Sequence, residues 1–525
     1  MSRYGLFCAI TVALGGFVFG YDASVISGAI GLVRADFLLT DWETGFLVGA
    51  PTLGAVIAAV VAGAVADLIG RKKVLLAIAF LYLLSGACCA FAPNYATLVL
   101  ARFIGGLAFV SLMLAPVYIA EISPPAARGW LVSINQLNIV VGFSAAYFAN
   151  YGLLRLSGSH LAWVHHIGLD LAAWRWMLGA EAIPAGLCFV LLFLIPESPR
   201  WLIVRGRASQ ASAILARLLP EQSAGQRAAL VAEIQATAHV KEPPFRARLA
   251  QLIGPGVGFA MLIGAIVGVA QQITGVNAVY FYAPVIFEQS GVGTNAAFAQ
   301  AIWVGVINVI FTVIAMLCID RLGRKPLLVA GLAGVFISMA ACAWGFGHAS
   351  YRLERASITR LASVVDARLL EPLAERTFSD DVAFKRATHA ALGEQQARAA
   401  ESVLIQAAIH INPALVLAGI LGFVASFAVS LGPVMWVLFS EIFPNRLRGL
   451  AISVVGVLNS AVSFLVQVLF PWELANVGAT WTFMIYGLFA VVGLWLIVAL
   501  LPETRGRSLE ELEVEFARRA VRGAT

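Results

Sequence analysis

Twelve stretches of this chain are apolar over the length needed to cross a hydrocarbon core of about 30 Å. They run over about 6–30, 44–66, 73–92, 95–120, 129–151, 174–195, 254–287, 296–319, 326–346, 413–439, 449–471 and 478–501. Backbone polar groups in lipid must be satisfied within the segment, so each stretch folds as a helix. The chain is 60% hydrophobic and 12% charged, which excludes an ordinary soluble protein and defines an all-α membrane protein. The first stretch is too long for the core of a secretion signal and lacks a cleavage site, so it is expected to be a retained helix.

Basic residues orient the spans. Arg71, Lys72 and Lys73 follow span 2, Arg128 follows span 4, Arg321, Arg324 and Lys325 follow span 8, and Arg446 and Arg448 follow span 10. The opposite side carries only Arg34, Arg155 and Arg175 in its short loops. The positive-inside rule then puts both termini in the cytoplasm. The net charge of +6 follows from this topology and is not a nucleic-acid signal. The cysteines Cys8, Cys88, Cys89, Cys188, Cys318 and Cys342 all lie in apolar spans without a CxxC or disulfide pattern, and read as small buried hydrophobes. His160, His165 and His166 read as solvated loop residues, so no metal or other cofactor is expected.

Two charges interrupt the apolar spans: Asp22 in span 1 and Arg102 in span 4. A charge at bilayer depth costs roughly 3 kcal/mol or more, and such residues face the bundle interior and pair. Each lies about eight residues from the outer end of its span, so both sit roughly 12 Å below the outer surface and could meet. A purely structural ion pair is the competing reading.

The chain contains an internal duplication. Gly63, Asp67, Gly70, Arg71 and Lys72 are echoed by Asp320, Arg321, Gly323, Arg324 and Lys325. Glu121, Pro124, Arg128 and Gly129 are echoed by Glu441, Pro444, Arg448 and Gly449. A weaker pair is Pro196-Glu197-Ser198-Pro199-Arg200 with Pro502-Glu503-Thr504-Arg505. Each follows the same span number within its half, which argues for two six-helix halves. The offset is 320 − 67 = 253 residues at the first mark and 441 − 121 = 320 at the second, so about 67 residues have been added between them. The addition is the polar stretch 349–411 on the outer side. Its pattern from Ser379 to Ile409 reads as amphipathic helix, with Ser379 as a cap. The expected divisions are residues 1–196, a cytoplasmic linker of short helices over 197–250, residues 251–505 with the insert, and a tail over 506–525 that starts a helix at Ser508.

These motifs resemble the sugar porter branch of the major facilitator superfamily over nearly the whole chain except 349–411. The residues that carry the resemblance are Phe19-Gly20-Tyr21-Asp22, Val25 to Gly28, Arg102 with Gly105 and Gly106, and Pro116 with Tyr118 and Glu121. Pro196 to Leu202, Gln271-Gln272 with Thr274, Gly275 and Asn277, Gly432-Pro433 with Trp436, and Pro502 to Gly506 complete it. Within that branch the motifs resemble those of bacterial xylose–proton symporters, with plant and microbial hexose–proton symporters near them. The resemblance implies a major facilitator fold of twelve helices that takes up a monosaccharide by alternating access. It implies that an acid at Asp22 couples transport to protons, where facilitators carry a neutral residue.

A sugar site needs amides, which both donate and accept, and an aromatic plate for the ring face. Gln136, Gln271, Gln272, Asn277, Asn308 and Asn459 are amides in apolar helices, although any one alone is what interhelical hydrogen bonding uses. The resemblance places Gln136, Gln271, Gln272, Asn277, Asn308 and Trp436 at sugar contacts. Where the family often follows the span 11 amide with Trp, Asn459 is followed by Ser460. Gly275 is expected to let span 7 bend, and Gly432-Pro433 to loosen span 10. Asp67, Arg71, Glu121 and Arg128 and their counterparts Asp320, Arg324, Glu441 and Arg448 lie at helix ends and are expected to form networks across the two halves that latch the outward-facing state and break on opening inward. The expected partners are a monosaccharide, protons and the bilayer, with the protein acting as a monomer and performing no covalent chemistry. A sugar uniporter and a non-transporting sugar receptor are the alternatives.

Overall fold

The computed structural model describes residues 2–238, 245–254, 257–362, 364–444, 446–507, 511–512 and 515–516. Among them, twelve helices are long and apolar enough to cross a membrane: Arg3–Phe37, Asp41–Ile69, Arg71–Ala90, Tyr95–Ile122, Gly129–Ser157, Ala173–Leu192, Val257–Gln289, Thr294–Leu322, Arg324–Gly347, Pro413–Ile442, Arg448–Asn476 and Ala479–Leu500. They are spans 1 to 12 below. The first extends past the apolar run to Phe37, so Asp22 lies 37 − 22 = 15 residues from its end, not eight. The short helices Pro199–Val204, Ala208–Leu218, Ala224–Ala238 and Phe245–Gln251 lie between spans 6 and 7 as expected. The tail helix expected at Ser508 falls outside the described residues. Cys88 is exposed and Cys318 partly so, which departs from the buried reading of all six cysteines.

Two compact units divide the chain: Met1–Val25, Ala50–Ala146 and Leu178–Arg248 form one, and Ile26–Gly49, Tyr147–Met177 and Leu249–Thr525 form the other. This division cuts across the halves read from the duplication. In the first unit the packing of spans is set by glycine. A Cβ on Gly106 would stand 2.0 Å from the Pro51 carbonyl oxygen, so spans 2 and 4 meet backbone against backbone. In the second unit the start of span 2 packs on span 11 in the same way, with a Cβ on Gly45 falling 2.2 Å from the Val468 carbonyl oxygen.

Span 7 is broken twice. Gly275, at φ +89°, separates Val257–Ile273 from Val276–Gln289 in the left-handed conformation that favours glycine. Tyr282 is non-helical, at φ −123°. Pro284 has no N–H to give the Tyr280 carbonyl, and the Tyr147 hydroxyl donates to that carbonyl instead at 2.6 Å. Span 10 breaks at Ser430, before the expected Gly432-Pro433, which sit in the first turn of the next segment, Leu431–Ile442. Proline is tolerated there because first-turn amides lack helical partners.

The insert is a folded body with its own hydrophobic cluster around Tyr351, Leu353, Leu370, Phe384 and Leu404. Its strands β1 (Ser350–Arg352), β2 (Thr377–Phe378) and β3 (Ile409–His410) form an antiparallel sheet in the order β2-β1-β3. The amphipathic stretch after Ser379 is three helices, not one: Asp381–Leu392, Glu394–Ala399 and Glu401–Ala408. Gly393 at φ +79° ends the first. Its N-cap is Asp380, not Ser379, with Oδ1 accepting from the Ala383 amide at 2.7 Å.

Candidate functional site

The amides at the Gly275 break form one connected network in the second unit. Gln272 Nε2 donates to Gln271 Oε1 at 3.1 Å and to Asn459 Oδ1 at 3.2 Å. Asn459 Nδ2 donates to Gln271 Oε1 at 2.9 Å and to the Gly268 carbonyl at 2.8 Å. Asn277 Nδ2 donates to Gln272 Oε1 at 2.8 Å and to Ser463 Oγ at 2.6 Å. Gln271 Nε2 donates to the Leu431 carbonyl, at the start of the second segment of span 10. Every amide hydrogen of Gln272, Asn277 and Asn459 is therefore engaged. Asn277 Oδ1, one hydrogen of Gln271 Nε2 and the Ser463 hydroxyl proton are not used in these bonds. Such a ring leaves no large desolvation penalty and yet offers both donors and acceptors.

Ser463 and Gln467, missed by the sequence reading, extend the network along span 11. Gln467 Nε2 donates to Ser463 Oγ at 2.8 Å, and the Tyr282 hydroxyl donates to the Gln467 carbonyl at 3.1 Å. The i, i+4 spacing of Asn459, Ser463 and Gln467 on one helix face was the available signal. Trp436 is 44% exposed and stands edge-on to Phe439; span 10 touches the network through Leu431 and Met435. Asn308 is buried on span 8. Gln136 is half-buried on span 5.

Asp22 and Arg102 meet, in the first unit. Arg102 is 2% exposed, and its Nη1 donates to Asp22 Oδ1 and, at 3.3 Å, to the Asp22 carbonyl. Gly105 lets span 4 close on this point: a Cβ there would stand 2.5 Å from Ser85 Oγ and 3.6 Å from Asp22 Oδ2. The pair is not alone. Glu181, on span 6 and 1% exposed, lies within electrostatic reach of both. It corrects the reading of only two charges inside apolar spans.

Among the described residues, the ion pairs of the duplicated helix-end motifs close inside each half, which corrects the expectation of networks across the halves. Arg71 pairs with Asp67 at 2.8 Å and Glu121 at 3.3 Å; Arg324 pairs with Asp320 at 3.0 Å and Glu441 at 2.7 Å. Arg448 Nε donates to the Phe443 carbonyl at 3.3 Å, while the side chain of Arg128 lies outside the described residues. The weakest sequence repeat proves equal in structure to the others. Glu197 accepts from the Lys72 amide at 3.0 Å, and Glu503 from the Arg324 amide at 3.1 Å and the Lys325 amide at 3.0 Å. Each carboxylate caps the helix that starts after Gly70 or Gly323.

The model of the family described as "Sugar (and other) transporter" matches residues 8–365 and 400–516, passing over 366–399 within the insert. The chain belongs to this family of membrane transporters, and its fold is that of the major facilitator superfamily. It is 33% identical over 501 residues to the arabinose–proton symporter of Bacillus subtilis (strain 168), covering 95% of this chain and 92% of that protein. It is 31% identical over 545 residues to the D-xylose–proton symporter of Escherichia coli (strain K12), covering 98% and 96%. The inward-open structure of the xylose transporter XylE from E. coli is similar at a TM-score of 0.73 and 29% identity, covering 98% of this chain and 100% of that chain. XylE bound to 6-bromo-6-deoxy-D-glucose is similar at 0.67 and 29% identity, covering 98% and 99%.

Proposed function

We propose that this protein takes up a monosaccharide together with protons, by alternating access of two six-helix halves, residues 1–196 and 251–505. It acts as a monomer in the plasma (inner) membrane with both termini cytoplasmic. The observation that carries the sugar reading is the amide ring at the broken seventh span. Gln271, Gln272, Asn277 and Asn459 satisfy one another, and a polyhydroxylated ring exchanges amide–amide bonds for amide–hydroxyl bonds at little net cost. Gln136, Asn308 and Trp436 complete the proposed sugar contacts, and Ser463 joins them.

Proton coupling rests on the buried cluster. One guanidinium, Arg102, faces two carboxyls, Asp22 and Glu181, so the cluster is charge-balanced when it carries a single proton. Asp22 is the carboxyl in direct contact with Arg102 and is assigned as the site whose protonation releases it. The helix-end networks around Arg71, Arg128, Arg324 and Arg448 are assigned to gating on the cytoplasmic side. The test is uptake of labelled pentoses, hexoses and polyols into proteoliposomes with an imposed proton gradient. Accumulation that collapses with an uncoupler supports symport. Equilibration without accumulation would make it a uniporter, and no saturable uptake of any sugar would sink the reading.

A further inference from the structure

The insert carries a charge cluster that the transport reading does not use. Lys385, buried on the helix Asp381–Leu392, has its Nζ 3.4 Å from Asp381 Oδ2, 3.4 Å from Glu401 Oε1 and 3.3 Å from the Leu474 carbonyl of span 11. Asp381 Oδ2 also accepts from the Ala479 amide at the start of span 12. A Cβ on Gly478 would stand 2.7 Å from Asp381 Oδ1, so the turn between spans 11 and 12 is fitted closely to the insert. Ser402 Oγ donates to Glu288 Oε2 at the end of span 7 at 3.1 Å. All these anchors belong to the second half of the duplication.

An ion pair among the described residues leaves that half. Arg34 Nη2, at the end of span 1, is 3.2 Å from Glu401 Oε2 and 2.8 Å from Asp41 Oδ1 of span 2. The same end of span 2 packs on span 11 through Gly45 and through Gly49 against Phe464. The helix ends on the insert's side are thus drawn together, and Glu401 is tied to both a fixed cation, Lys385, and a first-half cation, Arg34.

We propose that the insert is a latch for the outer side: it is fixed to spans 7, 11 and 12, and its Glu401 holds Arg34 of span 1, so that this side opens only when that pair parts. The proposal rests on the alternating-access reading, in which the two halves separate at this face. Burial alone would raise the Glu401 carboxyl, but Arg34, Lys385 and His389 outweigh it and hold it at about 2. The latch therefore stays charged through the physiological range and is independent of the proton site. It weights the equilibrium toward the arrangement closed on the insert's side.

The test uses a full-length protein with its six cysteines replaced and a single reporter, Thr44→Cys, at a buried position of span 2. Reaction with a membrane-impermeant maleimide is followed in Arg34→Gln, Glu401→Gln, the double variant and Asp41→Asn. Arg34→Gln leaves the Asp381–Lys385–Glu401 contacts intact, so it breaks the latch without unpinning the insert. Each single change is expected to speed labelling about five- to tenfold, the double no more than either, and Asp41→Asn hardly at all. Unchanged labelling in both singles, or additive acceleration in the double, overturns the latch. Gln272→Ala is measured alongside for sugar affinity. If that variant weakens affinity while labelling never moves, the latch fails and the transport reading stands; loss of saturable uptake in the unmutated protein would remove the reading beneath it.

Discussion

Asp22→Asn removes the charge that faces Arg102 while keeping the size of the side chain. Breaking a buried ion pair costs about 3–5 kcal/mol when the remaining charge is stranded. Here it is not stranded, because Glu181 stays within reach of the guanidinium. The variant is therefore expected to insert and fold. The functional magnitude follows from the driving force. One charge moving through about 100 mV gains about 2.3 kcal/mol, and at about 1.4 kcal/mol per decade this sustains roughly 50-fold accumulation of sugar. Asp22→Asn should bring that ratio to about 1 under the same potential, while counterflow exchange of labelled for unlabelled sugar continues at a rate of the same order. Both are read in proteoliposomes from one preparation. A variant that still concentrates sugar about 50-fold, with the pH dependence of the parent, would refute the assignment of Asp22. Decoupling by Glu181→Gln alone would move it to span 6. The double variant Asp22→Asn with Glu181→Gln leaves Arg102 without an anion and should fail to accumulate as folded protein.

Gln272→Ala removes two donated hydrogen bonds and one accepted bond from the amide ring, at about 1 kcal/mol per sugar bond it would have made. The apparent affinity should fall about five- to tenfold or more, with a monodisperse elution profile unchanged; equal affinity for every transported sugar removes Gln272 from the site. Replacing 349–411 by a short Gly/Ser linker should preserve membrane insertion and coupled uptake, since Ser350 and His410 are cross-strand partners and the ends to be joined already lie together. Complete loss of transport in a correctly inserted deletion protein would make the insert part of the transport machinery. The Glu401 carboxyl, facing Arg34, Lys385, Asp381, Asp41 and His389, is lowered from the ordinary 4.5 to about 2. A lowered acid stabilises the fold above its unfolded value and loses that contribution as pH falls through the folded one, here about 3 kcal/mol at most between about pH 5 and 2. Thermal unfolding of the purified protein should lose stability over this window, and Glu401→Gln should flatten the slope; identical slopes contradict the pairing.

Much of this was legible along the chain because lipid imposes a one-dimensional rule. A helix across the bilayer must be about 20 residues long and apolar, so the twelve spans and the break at Gly275 could be read from composition and spacing. The pairing of Asp22 with Arg102 was legible for the same reason, although the depth argument was wrong in detail: span 1 continues to Phe37, and the two residues are not equidistant from their helix ends. Glu181 escaped because one acid near the start of an apolar run reads like a helix end, and only the closure of spans 1, 4 and 6 buries it with the pair.

Ser463 and Gln467 escaped because a hydroxyl and an amide on span 11 acquire meaning only when Asn277 and Tyr282 reach them from span 7. The sequence by itself determined the helices, their duplication, the size and place of the insert, and the chemical types at the site. Which helix faces meet was decided by tertiary structure, through glycines that admit a neighbouring backbone at Gly106 and Gly45. So was the sheet that joins Ser350 to His410 across about 60 residues, and the tie between Arg34 and Glu401. The physical reason is that hydrophobic length is local to a segment, whereas a buried polar group is satisfied by whatever distant residue the packing brings within about 3 Å.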